Sequence, residues 1–347
     1  MRRVIRHAVF TLGALSLLSS CKMDEPEYRE NKAAAAVQVP AYSVFHIAGG
    51  AQPAGQDGEG TAANFNQPNG LELKPDGILY VADTYNNLLR KVVVKPLNGN
   101  PQQYVGTVTT LNTPAGANGL ALYHPARVGV SDNGTINTIF RSPNSPFLIF
   151  GRIYTPDGDI FTQQTDRMAA TGLTKEVYGD YYWFTGYLSV GKFWARHIQM
   201  PNIKLPLDTF ITYDANGQSH GAQYPRSIFS CKNGVKYMAS TMQLYKLTNS
   251  MQVSKIKPIV IYPARPFNDI TDIVATADGK TIFLADEGVI KKVQDGIVTT
   301  ILPIDDVTGK NGYAWGLALD EKNKMLYFSD RDYNRINILT LPGYVAH

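Results

Sequence analysis

Residues 65–92 read FNQPNGLELKPDGILYVADTYNNLLRKV. This stretch decides the fold. An apolar alternation at Leu71 and Leu73 runs into an Asp76-Gly77 turn. A second apolar run follows, closed by Ala82-Asp83, and then a third from Leu88 to Val92. Period-two alternation in short runs, punctuated by Gly, Asp and Asn, marks antiparallel strands joined by tight turns.

The pattern recurs. Residues 271–293 read TDIVATADGKTIFLADEGVIKKV, and residues 315–339 read WGLALDEKNKMLYFSDRDYNRINIL. Asp83, Asp286 and Asp330 share one register. A fourth copy, residues 224–247, carries Ser240 in place of the aspartate, and a fifth, residues 124–142, is degenerate in its second half. From Pro225 to Ile270 to Ala314 the spacing is 45 and then 44 residues. Each unit holds three visible strands plus a fourth, such as QQYVGTVTTL or GIVTTILPI. One such meander cannot cover both of its faces. A radial array lets neighbouring sheets cover one another, which is the logic of a β-propeller.

The carrying residues Pro68, Gly70, Leu71, Asp76, Gly77, Tyr80, Val81, Ala82, Asp83, Asn86, Arg90 and Val92 make the first copy resemble the NHL repeat family. The match is good in the last two copies and faint from about 140 to 218. The resemblance implies an all-β, six-bladed NHL-type propeller over residues 41–347, with blades starting near Pro68, Pro125, Tyr178, Pro225, Ile270 and Ala314. The last repeat has only three strands before His347. Residues 42–50, YSVFHIAGG, have no blade of their own and are expected to supply its outer strand, closing the ring from both chain ends.

The chain starts differently. Arg2, Arg3 and Arg6 precede a short apolar run, the layout of a secretory leader over residues 1–20. The ending Leu18-Ser19-Ser20-Cys21 resembles the lipobox of a bacterial lipoprotein, which would make Cys21 the acylated N-terminus. The following Lys22-Met23-Asp24-Glu25 resemble the signal that sends lipoproteins of Bacteroidetes-type bacteria to the outer face. Residues 21–40 then read as a polar, Ala-rich tether. These resemblances imply an outer membrane lipoprotein exposed at the cell surface, or alternatively on the periplasmic face.

Loss of the leader's three arginines takes the formal charge from +4 to +1. With no polybasic patch, nucleic acid is not an expected partner. Cys21 and Cys231 are the two cysteines. With Cys21 acylated, no disulfide is possible within one chain, and Cys231, in an alternating apolar run, reads as a small buried filler. The shared register of Asp83, Asp286 and Asp330 reads as structural, because an Asp at a strand end bonds turn amides. No histidine pair has metal-ligand spacing, so neither metal nor cofactor is expected, and no catalytic residue is assigned.

Candidate ligand-binding residues come from position and residue type. Trp315, Arg127, Arg226 and His124 lie at or before blade starts and are expected around the central funnel. Residues 176–197, EVYGDYYWFTGYLSVGKFWARH, contain Trp183 and Trp194 among many aromatics. A run of consecutive aromatics shows rings to both faces of a strand, so at least one of these indoles is expected to be partly exposed as a stacking platform. The reading is a monomeric, lipid-anchored, non-catalytic propeller that recognises a glycan or protein ligand. Two alternatives stand beside it. One is a lyase or hydrolase with a funnel site, as in some NHL-type propellers, although no such site matches here residue by residue. The other is a scaffold in an envelope complex.

Overall fold

The computed structural model describes residues 41–345 apart from 51, 99, 114–120, 143–144, 155–159, 166–171, 176–180, 187–188, 195–207, 210–211, 214–218, 221–224, 248–256, 259–265 and 305–310. The leader, Cys21 and the tether lie outside the described residues.

Among those residues the chain forms six sheets of four or five strands and one two-stranded pair. The first sheet runs Pro68–Leu73, Ile78–Asp83, Leu88–Leu97 and Asn100–Thr110, with Gly58–Glu59 added at its outer edge. The second holds Pro125–Val130, Ile136–Ser142, Ser145–Tyr154 and Ile160–Thr165. The third holds Gly172–Lys175, Tyr181–Gly186, Ser189–Trp194 and Asp208–Thr209. The fourth holds Pro225–Ser230, Lys236–Ser240, Leu244–Leu247 and Lys257–Pro258. The fifth holds Ile270–Ala275, Thr281–Asp286, Val289–Gln294 and Ile297–Leu302. The sixth holds Ala314–Asp320, Met325–Asp330, Arg335–Thr340 and Val44–Gly49.

The first strand of each sheet lies against the first strand of the next, and Ala314–Asp320 lies against Pro68–Leu73, so the inner strands form a closed cycle. This is the all-β propeller arrangement. The third inner strand begins at Gly172, not near Tyr178, which lies outside the described residues. The aromatic run that suggested a blade start is the second strand of its sheet, Tyr181–Gly186.

Local chemistry explains the repeated hairpin. In the first sheet the Gly77 amide donates to the Lys74 carbonyl and the Ile78 amide to Asp76 Oδ1, at 2.9 and 3.1 Å. Gly77 sits at φ 83°, a conformation that favours glycine. The same turn returns at Gly134, Gly234 and Gly279.

The cores lie between sheets. Leu79, Val81 and Val92 of the first sheet pack with Tyr327, Ile336 and Ile338 of the sixth. Phe283, Ala285 and Ile290 of the fifth pack with Leu317, Leu326 and Phe328 of the sixth. Each sheet is therefore stable only beside its neighbours. At the seam, Val44–Gly49 pairs antiparallel with Arg335–Thr340, from Val44 opposite Leu339 to Gly49 opposite Arg335. That strand buries Ile47 and Ala48 in the core shared by the first and sixth sheets.

Candidate functional site

Five inner strands carry a β-bulge at their start. The ladder slips between Pro68 and Leu71, Pro125 and Arg127, Pro225 and Ser227, Ile270 and Asp272, and Ala314 and Leu317. A bulge leaves a residue out of the ladder and re-aims its side chain. Asn69, Ala126, Arg226, Thr271 and Trp315 thus occupy the second position of their strands, at one mouth of the ring. The third position is Gly70, Arg127, Ser227, Asp272 and Gly316.

The two charged members of that third column meet across the ring. Arg127 Nη1 lies 2.9 Å from Asp272 Oδ2, and Arg127 Nη2 donates to the Thr271 carbonyl at 2.8 Å. Asp272 also accepts from Ser227 Oγ at 2.6 Å, from its neighbour Ile273 N at 3.0 Å and from Leu317 N at 2.9 Å. One carboxylate therefore ties together the second, fourth, fifth and sixth sheets. Both side chains are less than a tenth exposed. Glycine elsewhere in the column makes room. A Cβ on Gly70 would stand 2.8 Å from Arg127 Cδ, and one on Gly316 would stand 2.2 Å from the Asn69 carbonyl. Arg127 is thus a buried member of the floor and does not line the funnel. The bulge frees the residue before it, Ala126, and returns Arg127 to the packed layer.

The remaining candidate residues each have contacts of their own. Arg226 is half-exposed and pairs with Asp269 at 3.1 Å. Trp315 lies beside Tyr313, with ring centroids 6.5 Å apart and planes at 27°. The Arg331 guanidinium sits 4.3 Å above the Trp315 ring and donates through Nε to Gln67 Oε1 at 3.0 Å. Farther round, His124 stacks on Tyr123 at 4.1 Å and leans on Tyr85 at 4.6 Å. The His124 backbone is left-handed, φ 45°, and its amide donates to Asn87 Oδ1 at 2.8 Å. Burial, and then the charge of Arg141, hold the His124 imidazole below its ordinary pKa, so it is neutral near pH 7. Gln67 repeats the device at φ 50°, its amide donating to Asn334 Oδ1 at 2.8 Å. In both cases an asparagine of one sheet clasps the residue before the next sheet's proline.

Asp83, Asp286 and Asp330 are fully buried, one in each of three sheets. Asp83 accepts the Asn66 amide at 2.8 Å, Asp286 those of Asn268 and Asp269 at 3.0 and 2.7 Å, and Asp330 that of Tyr313 at 3.0 Å. Except for a bond from Tyr333 N to Asp330 at 3.2 Å, these amides belong to the segment entering the same sheet rather than to the turn after the aspartate. Each aspartate also pairs with a cation on the third strand: Arg90 at 2.8 Å, Lys291 at 2.6 Å and Arg335 at 2.7 Å. Burial pushes the Asp83 carboxyl up to about 6, against the pull of the Asn66 amide, Asn86 and Arg90. Cys231 is buried and its thiol is pushed up to about 12 by that burial, which makes it a poor nucleophile.

Trp183 and Trp194 lie on neighbouring strands of the third sheet, with Trp183 opposite Lys192 and Trp194 opposite Tyr181. Their side chains lie outside what is described. Asn69, Asp272, Tyr313, Arg331 and Tyr85 were missed from the sequence. A signal for two of the floor residues was present: Arg127 and Asp272 are the charged residues in a column that otherwise reads Gly, Ser, Gly.

No protein-family model matches the chain, and no curated protein matches it in sequence. Solved structures do match. An auxiliary nutrient binding protein from Bacteroides ovatus ATCC 8483 gives a TM-score of 0.58 at 13% identity, over 86% of this chain and 76% of its own. A Bacteroides thetaiotaomicron VPI-5482 protein of unknown function gives 0.58 at 11% identity, over 86% and 75%. Virginiamycin B lyase from Staphylococcus aureus gives 0.51 at 15% identity, over 82% and 98%. These are likenesses of fold. A binding protein and a lyase share the architecture, so function has to be argued from the site.

Proposed function

We propose that this chain is a non-catalytic binding protein of the bacterial envelope, a six-bladed NHL-type propeller that recognises a glycan or protein ligand at the bulged mouth of its ring. One observation carries the reading. The mouth presents Trp315 and Arg226 over a floor whose central carboxylate, Asp272, is already engaged by Arg127, Ser227 and two backbone amides. These four donors fill the carboxylate's hydrogen-bonding capacity, which leaves no lone pair turned towards a ligand. Among the described residues no three His, Cys, Asp or Glu side chains come together as a metal site. The nutrient-binding title of the Bacteroides ovatus neighbour supports the reading as an analogy of fold.

Acylated Cys21 anchors the propeller through residues 21–40 to the outer membrane, facing the cell surface, and the protein acts as a monomer.

The test is binding of the intact chain to arrayed glycans and envelope proteins, against a Trp315→Ala/Arg226→Ala variant. The variant is expected to lose binding at an unchanged melting temperature. Undiminished binding overturns the site, and turnover of the bound ligand replaces the reading with the lyase or hydrolase alternative. Cys21→Ser is expected to move the protein from the membrane fraction to the soluble one.

A further inference from the structure

We infer that the mouth carries an anion subsite over its first and second sheets, where the carboxylate of an acidic sugar pairs with Arg141 and with the ring edge of His124, beside the exposed ring of Tyr85. This deepens, and rests on, the binding reading above.

The first observation is how the four side chains are brought together. Pairing of Pro68 with Asp83 and of Pro125 with Phe140 sets the loop after each second strand at the end where the inner strands begin. From the first sheet's loop, Thr84 Oγ1 donates to the Pro125 carbonyl and Asn87 Oδ1 accepts the His124 amide, both at 2.8 Å. From the second sheet, the Arg141 amide donates to the Tyr123 carbonyl at 2.9 Å. Tyr123 and Tyr85 pack on the imidazole and fix its orientation. The groups left over are open. Among the described residues the buried side-chain polar atoms without a partner belong to Asn69, Arg90, Asn137 and Asn337. The ring nitrogens of His124 and the Tyr123 hydroxyl have no partner among the described residues and are not in that buried set, so they reach solvent. Tyr85 is 45% exposed.

The second observation is charge. Arg90, Arg127, Arg226 and Arg335 each pair with an aspartate, and Arg331 lies on Trp315. Arg141 is exposed, has no carboxylate or ring partner among the described residues, and is the charged group that acts on His124. Residues 84–87, TYNN, 111–124, LNTPAGANGLALYH, and 141–145, RSPNS, contain no aspartate or glutamate. Over the fifth and sixth sheets the mouth differs, for Asp269, Glu287 and Asp332 all act on Tyr313. An anion is therefore favoured on the first side and repelled on the other. One guanidinium beside a neutral imidazole suits a single negative charge, and its fork matches a carboxylate. The Tyr85 ring offers apolar surface for the C–H face of the sugar that carries it.

The intact chain is titrated by calorimetry with hexagalacturonate, hexamannuronate and a hyaluronan hexasaccharide. Methyl-esterified hexagalacturonate and cellohexaose are the uncharged controls. At least one acidic oligosaccharide is expected to bind and neither control, and Arg141→Gln should weaken binding about tenfold at an unchanged melting temperature. A carboxylate beside His124 opposes the charge of Arg141, so the complex holds the imidazole proton to higher pH than the free protein does. Affinity should thus rise about threefold as pH falls from about 7.5 to about 5.5. His124→Asn, which suits the left-handed backbone there, should abolish that rise. Should His124→Asn fold poorly, the His124 imidazole resonance of the parent reads the same linkage, as an upward shift of its titration midpoint when the oligosaccharide is bound. Equal affinity in Arg141→Gln, equal binding of the uncharged controls, a pH response undiminished in His124→Asn, or no binding of any acidic oligosaccharide overturns the subsite. A neutral glycan or a protein captured on the arrays would then leave the binding reading standing, whereas silence on both counts overturns the two together.

Discussion

Two sets of buried charges hold this ring, and they are built on opposite principles. Around the periphery, Asp83 with Arg90, Asp286 with Lys291 and Asp330 with Arg335 repeat one local device within a sheet. At the axis, Arg127 and Asp272 form a single pair between different sheets. The peripheral aspartates fix the segment entering their own blade, so each acts on one repeat. The axial carboxylate binds groups from three other sheets, so its loss is felt by the whole ring. Repetition marks a residue that serves the repeat. A charge that breaks the column marks one that serves the assembly.

The sharpest test of that contrast is Asp272→Ala. It leaves the Arg127 guanidinium buried without its partner, and about 3–5 kcal/mol of stability should be lost. Adding Arg127→Met should restore much of that loss, since a buried pair contributes less than the penalty for breaking it. Chemical denaturation of the single and double variants measures both. Parent-like stability of Asp272→Ala would remove the axial pair from the account of how the ring is held.

Asp83→Ala comes next. It removes one carboxylate hydrogen bonded to Arg90, Asn86 and the Asn66 amide. Arg90 retains Asp57 at 2.7 Å and the carbonyls of Gln56 and Asn64. The loss should therefore be smaller, about 1.5–3 kcal/mol. Equality with Asp272→Ala would erase the distinction between periphery and axis.

A pH series sharpens the peripheral half. Asp83 is raised from 3.8 to about 6 in the fold. Between those values the folded state binds more protons than the unfolded one, so this group's contribution to stability grows as pH falls through the window and is least above it. The stability of the parent relative to Asp83→Asn should rise as urea midpoints are taken from pH 7 towards pH 4. A relative fall would mean that Arg90 outweighs burial at this site.

The smallest effect is expected at the mouth. The Arg226–Asp269 pair is more than a third exposed on both sides, and such pairs contribute about 0–1 kcal/mol. Arg226→Ala should leave the melting temperature within a degree or two while weakening ligand capture. A large stability loss would make Arg226 part of the frame and not of the site.

Much of the architecture was legible because it is local. The alternation in residues 65–92 predicts strands, Asp76-Gly77 predicts the turn, and recurrence at 44 to 45 residues predicts sheets that cover one another. Residues 42–50 were readable as a closing strand from an accounting argument: a three-stranded last repeat needs a fourth. The site was less legible. Trp315, Arg226, His124 and Arg127 were all expected around the funnel from their distance to a blade start, and of these Arg127 is buried and paired with Asp272. One position along a strand separates Arg226, which is half-exposed, from the layer that holds Arg127. That difference depends on where a bulge falls, and neither alternation nor composition encodes it. The third sheet's start was misread for a related reason: Tyr181–Gly186 looks like an inner strand when its short partner Gly172–Lys175 carries no proline or turn signature.

By itself the sequence determined a repeat of antiparallel strands, the residues each sheet turns towards its neighbours, and an aspartate that every well-formed repeat uses in the same way. These follow from interactions among residues close in the chain. Only the tertiary structure decided that Arg127 reaches the fifth sheet, where it meets Thr271, 144 residues away, that glycines at 70 and 316 leave the axis open enough for the crossing, and that the Asn69 carbonyl meets Ser329 of the sixth sheet, 260 residues away. Those outcomes depend on closing the ring, because closure brings strands distant in sequence to one axis and fixes which of their side chains meet.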